Sequence, residues 1–250
     1  MKTLLYCERF KTKRRFVLLT ALAITAAELF WVMYGNYSQD ALSKGWMMFL
    51  YQLPLINALF LPLLSVVVAS RLCDIEHKGG ALRQLCCAVP RGRLYDAKLA
   101  YGLGIVLVCI AVQFAAVYLF GKLRGFGGDF PLGLYLLYLL FTVLPAVAVY
   151  IVQHTLSLLF KNQAVPFFAG IIGEFCGVFS MFLPQLPWLR KSLLWGYFGV
   201  LQFVGGDYDK ATRTSSFYVM DIDWTFFAVL AVGTVLLYLV GKKLFCEKEM

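Results

Sequence analysis

Along the 250-residue chain, apolar side chains gather into long runs separated by short polar and basic stretches. Six runs come close to or exceed the roughly 20 residues that a helix needs to cross a bilayer. They cover about 16–34, 47–70, 99–121, 132–158, 164–184 and 224–241. Pro54 and Pro62 fall inside the second run and Pro145 inside the fourth, which a span tolerates where neighbouring helices re-satisfy the freed backbone groups. The pattern predicts an all-α polytopic membrane protein with six transmembrane helices, forming one membrane domain over residues 1–250.

Two connections break the rhythm. In the loop 71–98, Leu82, Leu85, Cys86 and Val89 recur at the i, i+3, i+4, i+7 spacing of a short amphipathic helix. Asp74 and Glu76 lie ahead of it, where carboxylates suit a helix N-terminus, and Pro90 stops it. Such a helix, joined directly to the second and third spans, is either a rigid lever or a cap that closes the bundle. In the segment 185–223, the stretch from Pro187 to Phe203 has an apolar core too short to span. Its aromatic residues suit a membrane interface and predict a re-entrant or interfacial helix on the outer face. A seventh span is the alternative, and it would move the C-terminus to the other side. Asp207, Asp209, Asp221 and Asp223 follow in what reads as a solvated loop, able to attract a cationic peptide. The Asp207-x-Asp209 spacing lacks the glycine and distal glutamate of a calcium loop.

Charge fixes an orientation. Of the Lys and Arg residues, 16 fall on the side that includes the N-terminus and the 71–98 loop, and 7 on the other. By the positive-inside rule both termini are cytoplasmic. The first 15 residues, with Arg9, Lys11, Lys13, Arg14 and Arg15, read as a cytoplasmic amphipathic segment. The run after them is too long for a cleaved signal and reads as a retained first span. The chain is 61% hydrophobic and 15% charged, against about half and a quarter for soluble domains, and its mean hydropathy is +0.75. The net charge of +9 is therefore assigned to membrane orientation and lipid headgroups rather than to nucleic acid. Seven cysteines without a CxxC pair read as reduced, inert thiols.

Within the spans, Glu28, Glu174 and His154 are the polar candidates for a substrate path, since charged groups at membrane depth usually face protein or a water-filled cavity. Holding helices together is the alternative role for each. His77 and His154 make no HExxH, and no GxSxG occurs, so an intramembrane enzyme is a distant alternative, as is a non-transporting scaffold. No GxxxxGK[ST] loop is present to cradle a nucleotide.

The stretch Glu76-x-Lys78-Gly79-Gly80-x-Leu82-Arg83-x-Leu85, followed by Pro90-Arg91-x-x-Leu94-Tyr95-x-x-Lys98-Leu99, resembles the cytoplasmic loop between the first two hairpins of ABC-2-type permeases. The opening Leu5-Tyr-Cys-Glu8-Arg9-Phe-Lys11-Thr-Lys13-Arg14 is similar to theirs as well. Within that superfamily the chain most resembles the lantibiotic-immunity and bacitracin-resistance permease subunits, partly through Leu183-Pro-Gln-Leu-Pro-Trp188. The resemblance implies a permease that expels an amphipathic antimicrobial peptide across a bacterial membrane. It implies two separate ATPase subunits holding ATP and magnesium, no cofactor in this chain, and a second permease chain in a heterodimer, with a homodimer as the alternative. It also makes the loop helix a coupling helix, with Leu82, Leu85, Cys86 and Val89 filling a groove on the ATPase and Arg83 and Arg91 pairing at its rim. Glu76, Lys78, Gly79, Gly80 and Pro90 complete that coupling set. Export of another lipid-like or small hydrophobic molecule is the rival cargo.

Overall fold

A computed structural model describes residues 2–35, 37–78, 80–183, 185–210 and 214–248. The chain opens with helix α1, Lys2–Lys13, which meets α2, Val17–Met33, at a bend of 72°. Phe16 makes the corner with φ 52°, and its ring stays exposed. A left-handed backbone costs a bulky L-residue roughly 1–3 kcal/mol, so the corner is held by packing on both sides of it. The short α3, Gln39–Ser43, leads into α4, Gly45–His77, a 33-residue helix that continues through Pro54 and Pro62. Then come α5, Ala81–Ala88, and α6, Arg91–Arg124. Next are α7, Leu132–Leu159, and α8, Ala164–Met181, followed by the short α9, Pro187–Ser192. A single 3-10 turn, Leu194–Gly196, runs into α10, Tyr197–Val200. Strands β1, Val204–Asp209, and β2, Thr214–Val219, form an antiparallel hairpin in which Val204 faces Val219. The last element is α11, Trp224–Glu247.

Five helices, α4, α6, α7, α8 and α11, are long and apolar enough to cross a membrane, and the count rises to six if the bent α1–α2 pair is one span. The structure is 80% helical, an all-α polytopic membrane protein. Long helices are the only way to satisfy every backbone group without water in a non-barrel span. Wide apolar faces remain uncovered, as on α11 with Val232, Val235, Leu236, Leu239 and Val240. Exposed valine and leucine in such stripes face lipid.

The helices alternate in direction, so the bundle has two ends. One carries α1, α5 and the end of α11; the other carries α3, α9, α10 and the hairpin. The interior near the α5 end centres on Leu64, Leu72, Leu94, Tyr95, Tyr150 and Phe245. Toward the hairpin end it becomes strongly aromatic, with Trp46, Phe49, Phe126, Tyr135, Phe141 and Phe203. Ring centroids there approach to 4.9 Å (Trp46–Phe130) and 5.0 Å (Trp46–Phe126).

The segment before α11 differs from the sequence expectation. Residues 187–203 are not one helix but three short pieces. Tyr197, Phe198, Leu201 and Phe203 are buried, and the Trp195 ring lies where a Cβ at Gly173 would come within 2.6 Å of it. Only glycine on α8 admits that approach. The stretch read as a solvated loop is the β-hairpin, pinned to the bundle by Lys44 Nζ donating to the Ser215 carbonyl at 2.9 Å.

Candidate functional site

At the α5 end, four charged side chains from three helices close into a ring of alternating sign. Glu8 of α1 contacts Lys11 at 3.2 Å, Lys11 contacts Glu76 of α4 at 2.9 Å, Glu76 contacts Lys98 of α6 at 3.0 Å, and Lys98 returns to Glu8 at 2.9 Å. Lys98 is 0% exposed, and Glu8 and Glu76 hardly more. Lys98 Nζ also donates to the Leu72 carbonyl at 3.1 Å. The Thr12 hydroxyl meets the Tyr101 hydroxyl at 2.7 Å, extending the join between α1 and α6. Burying two carboxylates and the Lys98 ammonium, with Lys11 half-buried beside them, is feasible only because each charge has opposite neighbours, and removal of Lys98 leaves the carboxylates undercompensated.

This ring corrects one expectation. Asp74 and Glu76 do not precede α5 as a favourable N-terminal pair, because α4 runs on to His77 and both belong to its last turn. Carboxylates at a helix C-terminus oppose its dipole. Lysines and an arginine compensate: Lys11 and Lys98 at Glu76, Lys78 at Asp74 (2.6 Å), and Arg15 at Asp74 (3.7 Å).

Helix α5 hangs between the two arms of the ring, α4 and α6. It starts at Gly80 with φ 69°, a left-handed backbone suited to glycine; Gly79 lies outside the described residues. Its amphipathic face is turned the other way from the expectation. Leu82 is buried in the bundle's own core, with Leu85 and Cys86 packed against it and Val89 half-buried. The core at the α5 end needs a lid, and those apolar side chains supply it. Exposed instead are Arg83, Gln84, Cys87, Ala88 and Pro90. Burial pushes the Cys86 thiol up, which keeps it protonated and slow toward electrophiles. Arg91 is likewise engaged within the chain, donating from Nη1 to the Cys246 and Lys248 carbonyls at 2.8 Å each, where it caps the end of α11. Beside it, Lys242 pairs with Asp96 at 2.7 Å.

Among the residues inside spans, Glu28 belongs to a hydrogen-bonded chain across four helices. Gln113 Nε2 on α6 donates to Glu28 Oε1 on α2 and to Asn57 Oδ1 on α4, both at 2.6 Å, and Asn57 Nδ2 donates to the Tyr138 hydroxyl on α7, also at 2.6 Å. All four residues are buried. Glu174 is buried on α8, with Oε2 lacking a partner among the described residues. His154 is fully enclosed between the rings of Tyr95 and Tyr150, with centroids at 5.0 and 6.0 Å. The three are not brought together into one site.

At the hairpin end, a cavity of about 570 Å³ opens between α2, α4 and α8. Trp31, Tyr34, Tyr37, Tyr51 and Phe182 wall it, with Gln52 and Gln202 as its amides. Trp31 and Val32 stand one helical turn beyond Glu28. A smaller cleft of about 180 Å³ adjoins it, sharing Tyr51 and Gln52 and adding Asp207, Tyr208 and Phe217 of the hairpin.

Asn57, Gln113 and the pairing of Glu8 were not singled out from the sequence. Lys98 and Glu8 stood in the motif stretches, one per segment, and an unpaired charge at the edge of an apolar run was the available signal. Amides such as Asn57 and Gln113 leave an apolar run unbroken and give little signal.

A bent amphipathic opening helix, five or six candidate crossings and a short helix slung between α4 and α6 define a multi-pass membrane protein. The model of the ABC-2 family transporter proteins matches residues 4–177, more than half of the chain, and the chain belongs to that family. No match was found among curated proteins or among solved structures. Members of the family form the membrane part of a transporter, are not themselves catalytic, and generally work with a separate ABC ATPase.

Proposed function

We propose that this chain is the permease subunit of a bacterial ABC transporter that expels an amphipathic antimicrobial peptide of lantibiotic type. Both termini and α5 face the cytoplasm. Two ATPase subunits bind ATP and magnesium, and this chain binds neither. A second, related permease chain covers part of the exposed helical surface and completes the path.

One observation carries the reading: α5 joins two spanning helices whose ends are locked to each other and to α1 by a buried ion ring. A push on the exposed face of α5 is therefore passed to three helices at once. The docking surface is that outward face, Arg83, Gln84, Cys87 and Ala88, with Leu82, Leu85, Cys86 and Val89 holding the helix to the bundle beneath. The cargo assignment rests on the lateral cavity. Aromatic walls suit the apolar side of an amphipathic peptide, and the two glutamines, with Asp207 of the adjoining cleft, suit its polar, cationic side. Glu28 and Glu174 serve as helix-packing groups below that cavity. A lipid-like or small hydrophobic cargo is the second reading, favoured by the exposed aromatic rims of Trp31 and Tyr34.

The test is co-reconstitution with the partner ATPase. Arg83→Glu combined with Ala88→Asp is expected to abolish co-purification of the ATPase and leave membrane insertion intact. ATP hydrolysis by the parent complex is expected to rise with a cationic amphipathic peptide and not with a neutral lipid analogue. Full retention of the ATPase by the double variant contradicts the docking face, and stimulation by the lipid analogue alone replaces the cargo.

A further inference from the structure

The surface of α1 opposite the ion ring remains unassigned. Tyr6, Arg9, Phe10 and Lys13 recur at i, i+3, i+4 and i+7, so they share one face, and all four are exposed. Their opposite numbers, Glu8 and Thr12, point into the bundle. The exposed face lines a cavity of about 600 Å³ in the elbow between α1 and α2, closed by Thr12, Phe16, Val17, Leu18, Leu19 and Tyr101.

Three features point to a ligand of one kind. Arg9 and Lys13 form no ion pair among the described residues, while Lys11 between them is used internally. Among the described residues, no carboxylate lines the cavity. The lower wall is apolar and exposed: Phe10, Phe16, Leu18 and Leu19 are 68%, 64%, 46% and 63% accessible. Phe16 is also the one described non-glycine residue with a positive φ, and this backbone geometry puts its ring on the cavity wall instead of in the core. Two free cations above an apolar slot, at the elbow where an amphipathic helix meets a spanning one, match a phosphate headgroup above acyl chains.

We propose that the elbow between α1 and α2 is a binding site for one anionic phospholipid, with its phosphate at Arg9 and Lys13 and its chains along Phe16, Leu18 and Leu19. The lipid fills the elbow on the outer side of α1, while the ion ring holds the inner side. Lipid charge in the surrounding leaflet then bears on the same helix that grips Glu76 and Lys98. The site does not depend on which cargo the transporter moves.

The experiment uses the full chain in nanodiscs of phosphatidylglycerol and phosphatidylcholine in equal amounts, extracted gently and weighed by native mass spectrometry. The parent is expected to retain one phosphatidylglycerol in preference to phosphatidylcholine. Each basic side chain near an anionic headgroup is worth about a five-fold preference, so Arg9→Gln with Lys13→Gln is expected to lose roughly 25-fold. Both positions are solvent-facing, and unchanged thermal unfolding of the double variant checks its fold. Lys243→Gln, an exposed cation at the same end outside the elbow, is expected to keep the lipid. Equal retention by the double variant overturns the site. So does equal loss in Lys243→Gln, which indicates a diffuse charge effect, or release of the lipid by millimolar inorganic phosphate, which indicates a free-anion site.

Discussion

Two buried polar assemblies bind the helices of this protein, and they are built on opposite principles. The ring at the α5 end is ionic, four charges of alternating sign with every contact at 3.2 Å or less. The chain from Glu28 through Gln113 and Asn57 to Tyr138 relies on amides and a hydroxyl, and its carboxyl has no cation in range among the described residues. A lone charge at the bilayer centre costs roughly 2.5–3.5 kcal/mol on insertion scales. Full ion pairs are therefore placed at the end of the bundle, beside headgroups and water, and amide bonds deeper in. On the proposed function the ionic assembly sits where the ATPase pushes, and the amide chain holds the rest of the bundle in register.

The comparison breaks most sharply at Lys98. Lys98→Met strips the fully buried cation and leaves Glu8 and Glu76 to share Lys11 alone, an expected loss of about 3–5 kcal/mol. Thermal unfolding of the purified chain in detergent measures it. Adding Glu8→Gln should recover part of the loss, and a single variant that melts like the parent removes the clamp from the picture. In the amide chain, Gln113→Leu orphans Glu28 and Asn57 at once, and the expected loss is about 2–3 kcal/mol. Because Gln113 is itself uncharged, its effect should stay below that of Lys98→Met; the reverse order would invert the comparison. Gly173→Val drives a side chain into the Trp195 ring at an expected cost of about 2 kcal/mol, with a shift in tryptophan emission as the direct readout. Smallest is Arg91→Ala, which uncaps the end of α11 at about 1 kcal/mol. Faster proteolysis beyond residue 242 with unchanged melting of the bundle is the expected signature.

The runs of apolar residues made the six helical segments legible, since length and hydropathy alone decide whether a span is possible. Their ends were not legible. Helix α4 continues past 70 to His77 and α6 begins at Arg91 rather than 99, because Glu76 and Lys98, which interrupt hydropathy, are neutralised by partners distant in sequence. Periodicity showed that α5 has an apolar face but not what that face touches, so the stripe that packs on the bundle was read as the stripe that meets a partner. The hairpin escaped because Gly205, Gly206, Asp207 and Asp209 carry turn and loop character and break up the strand formers Val204, Tyr208, Thr214, Phe217, Tyr218 and Val219. The ion ring escaped for a different reason: three separate helices must fold before its members meet.

The claim that α5 faces a cytoplasmic motor is tested most directly at Cys87, the exposed thiol on its outward face. With Cys87 kept as the sole cysteine, a membrane-impermeant maleimide is applied to sealed vesicles of each orientation, with and without the ATPase. The expected result is labelling in inside-out vesicles only, blocked when the ATPase is bound. Labelling in right-side-out vesicles, or labelling that the ATPase leaves untouched, contradicts it.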